Sequence, residues 1–209
     1  MEHILVIMGV VWLAVISPGA DFAMISRLSA MQGRRSGIMA AAGIATGCWF
    51  HVVYAIFGLA LVERLFPQAL VVMRIAGAAY LVYLGISMVL ARPAANADGA
   101  PVARGSDGRA FVTGLLTNGL NPKTSMFVVS LYAQAIGPAT PIGTQIGYGA
   151  FISLSHLLWF GAVAIFLSRP TIRARVLANQ RVANYAIGAI LILLGVALAL
   201  SDLGQGPAA

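Results

Sequence analysis

The stretch AVISPGADFAMI, residues 14–25, places Ser17-Pro18-Gly19 in the middle of a mostly apolar segment. The stretch LNPKTSMF, residues 120–127, places Asn121-Pro122-Lys123 in a similar setting. Serine and asparagine favour the position just before a helix, and proline favours its first position. Both stretches therefore predict that one helix ends and another begins. Free backbone N–H groups and the positive end of a helix dipole should lie at each break.

The composition indicates where such helices lie. Of the 209 residues, 60% are hydrophobic and only 9% are charged, and the mean hydropathy is +0.90. Soluble domains carry about 25% charged residues, so this composition excludes an ordinary soluble enzyme, a nucleic-acid-binding domain and a disordered chain. The single cysteine, Cys48, excludes an intramolecular disulfide and a cysteine-rich metal site. The chain is predicted to be a membrane protein.

The apolar segments predict the number of spans. A helix that crosses a bilayer needs about 20 mostly apolar residues, and six charge-poor segments approach or exceed this length. They predict an all-α membrane protein with six transmembrane helices, of which helices 1 and 4 are broken by the two stretches above. The six segments are residues 4–25, 37–61, 70–90, 111–136, 143–167 and 182–200.

The two halves of the chain have similar patterns. The segment Gly77–Gly85 of the third span resembles Gly188–Gly195 of the sixth, and the second and fifth spans each carry a central histidine, His51 and His156. Because each half holds three spans, the second half must enter the membrane in the opposite orientation. Inverted repeats with broken helices at corresponding positions are typical of secondary transporters. We therefore expect a 3+3 inverted repeat, with three-helix repeats over 1–90 and 111–209 and a cytoplasmic linker over 91–110.

The basic residues predict the orientation of this bundle. Ten of the thirteen lysines and arginines lie between spans one and two, three and four, or five and six. Basic loops favour the cytoplasmic side, so both termini are expected on the outer side of the membrane. The net charge of +7 is thereby explained without a nucleic-acid partner.

Two ionisable residues lie beside the breaks. Asp21 lies roughly 9 Å inside the boundary marked by Arg27, at about 1.5 Å per residue, and Lys123 lies deeper. A charge at such depth is costly, so both should face the bundle interior. We expect Lys123 and the helix N-terminus to hold a carboxylate, and Asp21 to take an ammonium group or a proton. The predicted substrate-binding residues are Ser17, Pro18, Gly19, Asp21, Asn121, Pro122 and Lys123.

Simpler interpretations stay open for the same residues. The prolines could serve only to bend their spans, and Asp21 and Lys123 could simply neutralise each other. His51 and His156, with Trp49 and Tyr54 beside the former, are candidates for a proton relay or for lining the substrate path, although packing is the simpler role for each. The sequence holds no nucleophile elbow, phosphate loop or metal-ligand cluster, so we expect no catalytic residues, no metal and no cofactor.

Several of these motifs together resemble the LysE/RhtB family of bacterial amino-acid exporters. The matching stretches are Ser17-Pro18-Gly19-Ala20-Asp21-Phe22, Gly33-Arg34-Arg35-Ser36-Gly37 with Gly43 and Gly47, Gly77–Gly85, Gly114-Leu115-Leu116-Thr117-Asn118, Asn121-Pro122-Lys123-Thr124 and Gly188-Ala189-Ile190-Leu191. Gly114 to Lys123 and Ser130 are most similar to the threonine and homoserine exporters. The resemblance implies export of a small neutral amino acid, with proton antiport.

The chain departs from that family pattern in two places. Ala20 stands where the family usually has proline, which softens the first break. Tyr132-Ala133-Gln134-Ala135 stands where the family often has a Pro-Gln-Phe-like sequence, and this difference bears on the outer mouth of the path.

Three readings follow from the residues and the resemblance. The first is the export of small neutral amino acids, whose partners are the substrate, a coupling proton and the lipid bilayer. The second is efflux of a cation or another small metabolite by the same fold, although Asp21 alone is a poor ligand set for a metal ion. The third is a membrane-complex subunit without transport activity. The sequence permits a homo-oligomer and does not determine the oligomeric state.

Overall fold

The computed structural model describes residues 2–66, 69–90, 106–135 and 140–204, and these residues form helices with short connections and no strand. Most of the linker predicted over 91–110 lies outside the described residues. Its last residues, from Asp107 onward, already belong to α5. The helices in chain order are α1 (Glu2–Ile16), α2 (Ala20–Gln32), α3 (Arg34–Leu65), α4 (Ala69–Leu90), α5 (Asp107–Gly119), α6 (Pro122–Ala135), α7 (Ile142–Leu167) and α8 (Pro170–Gly204).

Within the described residues, three helices are long and apolar enough to cross a membrane. They comprise Arg34–Val62 of α3, Val71–Leu90 of α4 and Ile142–Leu167, the whole of α7. The pair α1 and α2, bent by 53° at their junction, meets the same standard when counted as one span. The apolar part of α8, Asn184–Leu200, is too short to meet this standard. The described part of the chain is thus all-helical, with three candidate membrane spans by length and composition, or four when the bent pair is counted as one span.

Both predicted helix breaks are present. α1 ends at Ile16 and α2 begins at Ala20, while α5 ends at Gly119 and α6 begins at Pro122. At the second break Asn121 caps α6 as expected, because its side-chain Oδ1 accepts a hydrogen bond from the backbone N–H of Lys123 at 3.0 Å.

The prediction of Ser17 as the cap of the first break is wrong. Gly19, in an extended conformation, occupies the cap position of α2, and it has no side chain to form a cap hydrogen bond. The reason is that Ser17 still belongs to the end of α1, since its N–H donates to the carbonyl of Leu13 at 3.1 Å. Pro18 has no N–H with which to continue that ladder, so the turn into α2 falls two residues later than expected.

Glycines let two pairs of helices pack with their backbones in contact. A Cβ atom on Gly85 of α4 would lie 2.5 Å from the carbonyl oxygen of Gly188 on α8, and one on Gly195 would lie 2.7 Å from the carbonyl of Ala78. These contacts run in opposite directions along the two helices, so α4 and α8 are antiparallel. Helices α3 and α5 are in similarly close contact, because a side chain at Gly43 of α3 would overlap the backbone carbonyl of Phe111 on α5.

Candidate functional site

The first break supplies a buried carboxylate. Asp21 lies in the first turn of α2, where the helix dipole favours a negative charge, and it is 5% exposed. Its Oδ2 accepts hydrogen bonds from the side-chain amides of Asn118, at 2.8 Å, and Asn121, at 3.2 Å. Its other oxygen, Oδ1, is buried and has no hydrogen-bond partner among the described residues. One carboxylate oxygen is therefore held by the second break, and the other remains unpaired.

The second break supplies the ammonium group. The Nζ atom of Lys123 donates to the backbone carbonyl of Ser17 at 2.7 Å and to that of Pro18 at 3.5 Å, and it also contacts the Ser17 hydroxyl. The Lys123 side chain passes directly beside Gly19, where a Cβ atom would lie 3.3 Å from its Cδ. Lys123 makes no ion pair with Asp21. Each charge is thus bound by uncharged groups of the opposite break, which is not the simple mutual neutralisation considered above.

A small central cavity joins these groups. Its volume is about 20 Å³, which is room for about one water molecule, so the polar groups leave no space for a larger guest. The residues that line it come from both breaks and from α1 and α7. They are Ala14, Val15, Ser17, Gly19, Asp21, Phe22, Asn121, Lys123, Thr124, Phe127, His156 and Phe160.

The two predicted histidines have different positions. His156 lines the cavity, and its Nδ1 donates to the carbonyl of Ile152 at 2.8 Å, which leaves Nε2 as the free ring nitrogen. His51 does not line the cavity. Its Nε2 lies 2.8 Å from the backbone carbonyl of Asn118, and its Nδ1 lies 2.9 Å from the hydroxyl of Tyr54. His51 therefore holds Asn118, which in turn holds the carboxylate.

The remaining predicted residues lie further from the cavity. Tyr54 is 41% exposed and contacts the Ser125 hydroxyl, so it supports His51 from outside. Trp49 is partly buried and packs against the apolar core. Pro122 begins α6 and is exposed, whereas Pro18 reaches the site only through its carbonyl.

Sequence reasoning did not select Asn118 as a site residue. It is fully buried in the last turn of α5, and it makes the shorter of the two amide contacts to Asp21. The signal was available, because an asparagine inside an apolar helix, three residues before the capping Asn121, must find a hydrogen-bond partner. Sequence reasoning also did not select Thr124, whose hydroxyl accepts a second hydrogen bond from the Asn118 amide at 3.3 Å.

Broken helices that bring a carboxylate and an ammonium group to one internal cavity define a membrane transport protein. The family model of the LysE type translocator matches residues 12–202 of the chain. The chain belongs to this translocator family, which together with the efflux proteins named below indicates a transporter rather than an enzyme.

Its curated relatives include efflux proteins of known substrates. The chain is 29% identical over 178 residues to the threonine efflux proteins of Salmonella typhi and of Escherichia coli K12, which covers 84% of this chain and 85% of each relative. It is 28% identical over 196 residues to the homoserine/homoserine lactone efflux protein of Salmonella typhimurium, with 88% and 89% covered. No solved structure matches the chain.

Proposed function

We propose that the protein exports small neutral amino acids resembling threonine or homoserine across the bacterial inner membrane. The observation that carries this proposal is the pair of opposite charges at the two breaks, each held by uncharged groups beside one cavity. The substrates named for the relatives support it, since free amino acids carry the complementary pair of charges.

The site chemistry follows from the free hydrogen-bonding capacity of each group. The unpaired Oδ1 of Asp21 accepts from the substrate ammonium, so binding satisfies a carboxylate oxygen that is otherwise buried without a partner. The substrate carboxylate replaces the Ser17 carbonyl as the partner of Lys123, because a charged acceptor bonds an ammonium group more strongly than a neutral one. The free Nε2 of His156 and the hydroxyl of Thr124 are available for a side-chain hydroxyl.

The closed cavity implies movement during each transport cycle. At about 20 Å³ it is too small for an amino acid, so the two breaks must separate to admit one. We infer alternating access in a six-span, 3+3 inverted arrangement, in which the α5–α6 pair and the apolar part of α8 complete the spans. The antiparallel contact of α4 with α8 supports this arrangement. We place both termini on the periplasmic side, as the basic connections predict.

We also propose coupling to protons. Asp21 is the group that would carry the proton, because it can hold either a proton or the substrate ammonium at the same oxygen. Antiport then follows if a proton from outside displaces the outgoing substrate at Asp21.

Counterflow in proteoliposomes tests both parts of the proposal. Vesicles loaded with unlabelled threonine should accumulate labelled threonine or homoserine, and an imposed pH gradient should drive uphill movement of the amino acid. If none of the common amino acids is exchanged, amino-acid export is wrong. If exchange occurs but a pH gradient neither drives it nor is dissipated by it, proton antiport is wrong.

Two substitutions test the site. Asp21→Asn and Lys123→Ala should each reduce threonine counterflow by more than about 100-fold, since each removes the partner of a charged substrate group. Asp107→Asn is the matched control, because Asp107 lies in an exposed ion pair with Arg35 at 2.7 Å. Full exchange by either site variant at normal membrane abundance would refute the assignment.

A further inference from the structure

A second, larger cavity lies next to the central one. Its volume is about 220 Å³, against about 20 Å³ for the central cavity. It is bordered by the N-terminal half of α1, the C-terminal ends of α6 and α8, the beginning of α7, and Leu81 of α4. These ends share one side of the bundle, which is the side opposite the Arg35–Asp107 ion pair at the starts of α3 and α5.

Phe127 separates the two cavities. It lines both of them and is 3% exposed, and it lies on α6 one turn beyond Lys123. Phe127 is therefore a shared part of the walls of both cavities. A rotation of its ring would change this shared wall and is the simplest movement that would connect the two cavities.

The larger cavity also borders an unsatisfied polar group. Its lining is mostly apolar, and the amide of Gln134 is one of its few polar members, together with Tyr148. The Oε1 atom of Gln134 is buried and has no hydrogen-bond partner among the described residues. Buried amide oxygens are almost always paired in folded proteins, so a rotation of the Gln134 side chain toward the cavity would let this oxygen accept a hydrogen bond from a guest there.

We propose that the larger cavity is a second substrate subsite on the exit side, where Gln134 accepts a hydrogen bond from the amino acid and Phe127 closes the passage behind it. The occupant rests on the proposed function, because it is the same small amino acid that the central site holds. The cavity volume of about 220 Å³ is several times the volume of about 30 Å³ that one water molecule takes in the liquid. The cavity therefore has room for an amino acid of threonine size. The apolar walls suit its aliphatic part, and the adjoining central site provides its route of entry.

The accessibility of introduced cysteines tests whether Phe127 closes the passage between the two cavities. The natural chain has a single cysteine, Cys48, which is buried, so it gives a low background. In right-side-out membranes, Leu131→Cys in the larger cavity should react with a membrane-impermeant, positively charged methanethiosulfonate. Val15→Cys in the central cavity should react at least tenfold more slowly, and adding Phe127→Ala should remove that difference. Phe127→Leu serves as the second variant if Phe127→Ala is not inserted.

Substrate protection tests the subsite. Saturating threonine should slow the modification of Leu131→Cys at least fivefold, and adding Gln134→Leu should abolish this protection.

Three results would overturn the inference. They are an unreactive Leu131→Cys, no protection by threonine, and equal reactivity of Val15→Cys with and without Phe127. Protection by a phospholipid acyl chain but not by threonine would show that the cavity holds lipid instead. Each of these results can occur while threonine counterflow is normal, whereas the absence of all amino-acid counterflow refutes the proposed function itself.

Discussion

The two helix breaks are similar in sequence and opposite in chemistry. Ser17-Pro18-Gly19 presents hydrogen-bond acceptors, namely two backbone carbonyls and, two residues later, the carboxylate of Asp21. Asn121-Pro122-Lys123 presents donors, namely the Asn121 amide and the Lys123 ammonium, to which Asn118 adds a second amide. Each break therefore supplies hydrogen bonds to the charged group of the other, and burying either charge without these bonds would cost more free energy.

In the proposed transport cycle, this difference would let one site bind and release a zwitterion. The groups that hold Asp21 are neutral donors and the groups that hold Lys123 are neutral acceptors, so a substrate ammonium and carboxylate can replace them with stronger, charge-assisted bonds. A direct Asp21–Lys123 ion pair would instead compete with the substrate on equal terms. Under the proposed function, the substrate would replace these neutral hydrogen-bond partners of Asp21 and Lys123 without first breaking an ion pair.

The largest effect is expected when a donor of the second break becomes an acceptor. Asn118→Asp would place a second carboxylate against Asp21, where the amide now donates at 2.8 Å. Hydrogen bonds to charged groups contribute about 1.5–3 kcal/mol, and the repulsion of like charges adds to this loss. We expect threonine counterflow to fall by more than about 100-fold.

The control for this change is a carboxylate of similar burial placed elsewhere. Asn184→Asp introduces the same group on α8, at a position that is 3% exposed and away from both breaks. Equal loss of exchange in both variants, at equal protein abundance, would mean that Asn118→Asp acts by general destabilisation and not through Asp21.

The sequence predicted much of the fold because apolar segments bounded by charges are a strong signal in a membrane protein. Four predicted segments, 37–61, 70–90, 111–136 and 143–167, match the described helices to within about four residues at each end, whereas the first segment stops at residue 25 and α2 continues to Gln32. The sixth predicted segment covers only the later part of α8, whose basic first half was read as a loop. The breaks were found because proline and glycine act locally.

The partners at the site could not be predicted in the same way. That Lys123 would bind the carbonyl of Ser17, and that Asn118 would reach Asp21, depends on how α2, α5 and α6 pack together. Side chains 97 or more positions apart leave no periodic signal in the sequence. The exact cap of α2 was also missed, since whether Ser17 ends one helix or begins the next depends on tertiary contacts.

A smaller effect is expected from Asn121, which has two roles that can be separated. Its Nδ2 donates to Asp21 at 3.2 Å, and its Oδ1 caps α6 at 3.0 Å. Asn121→Ala removes both contacts, and loss of a cap costs about 0.5–2 kcal/mol. Asn121→Ser keeps a capping oxygen but does not reach Asp21. We expect both variants to exchange threonine about tenfold more slowly, and only Asn121→Ala to lower the melting temperature of the purified protein.

The comparison of Asn121→Ala with Asn121→Ser decides which of the two Asn121 contacts matters for exchange. If Asn121→Ser restores full exchange, the cap is the functional contact and the long bond to Asp21 contributes little. If both variants melt at the parent temperature, the cap does not stabilise α6.

The smallest effect is expected at Gly19, where the first break makes room for the second. A Cβ atom there would lie 3.3 Å from Cδ and 3.4 Å from Nζ of Lys123, so the side chain must move by a few tenths of an ångström. Gly19→Ala should weaken the hydrogen bond from Lys123 to the Ser17 carbonyl. Threonine counterflow should therefore fall by about two- to fivefold, which is the effect expected when one hydrogen bond is weakened. Gly9→Ala on α1, which meets no atom within 4 Å, is the matched control and should exchange threonine at the parent rate. A loss at Gly19→Ala as large as that of Lys123→Ala would show that the first break positions Lys123 rigidly, because a flexible side chain should adjust to a single methyl group.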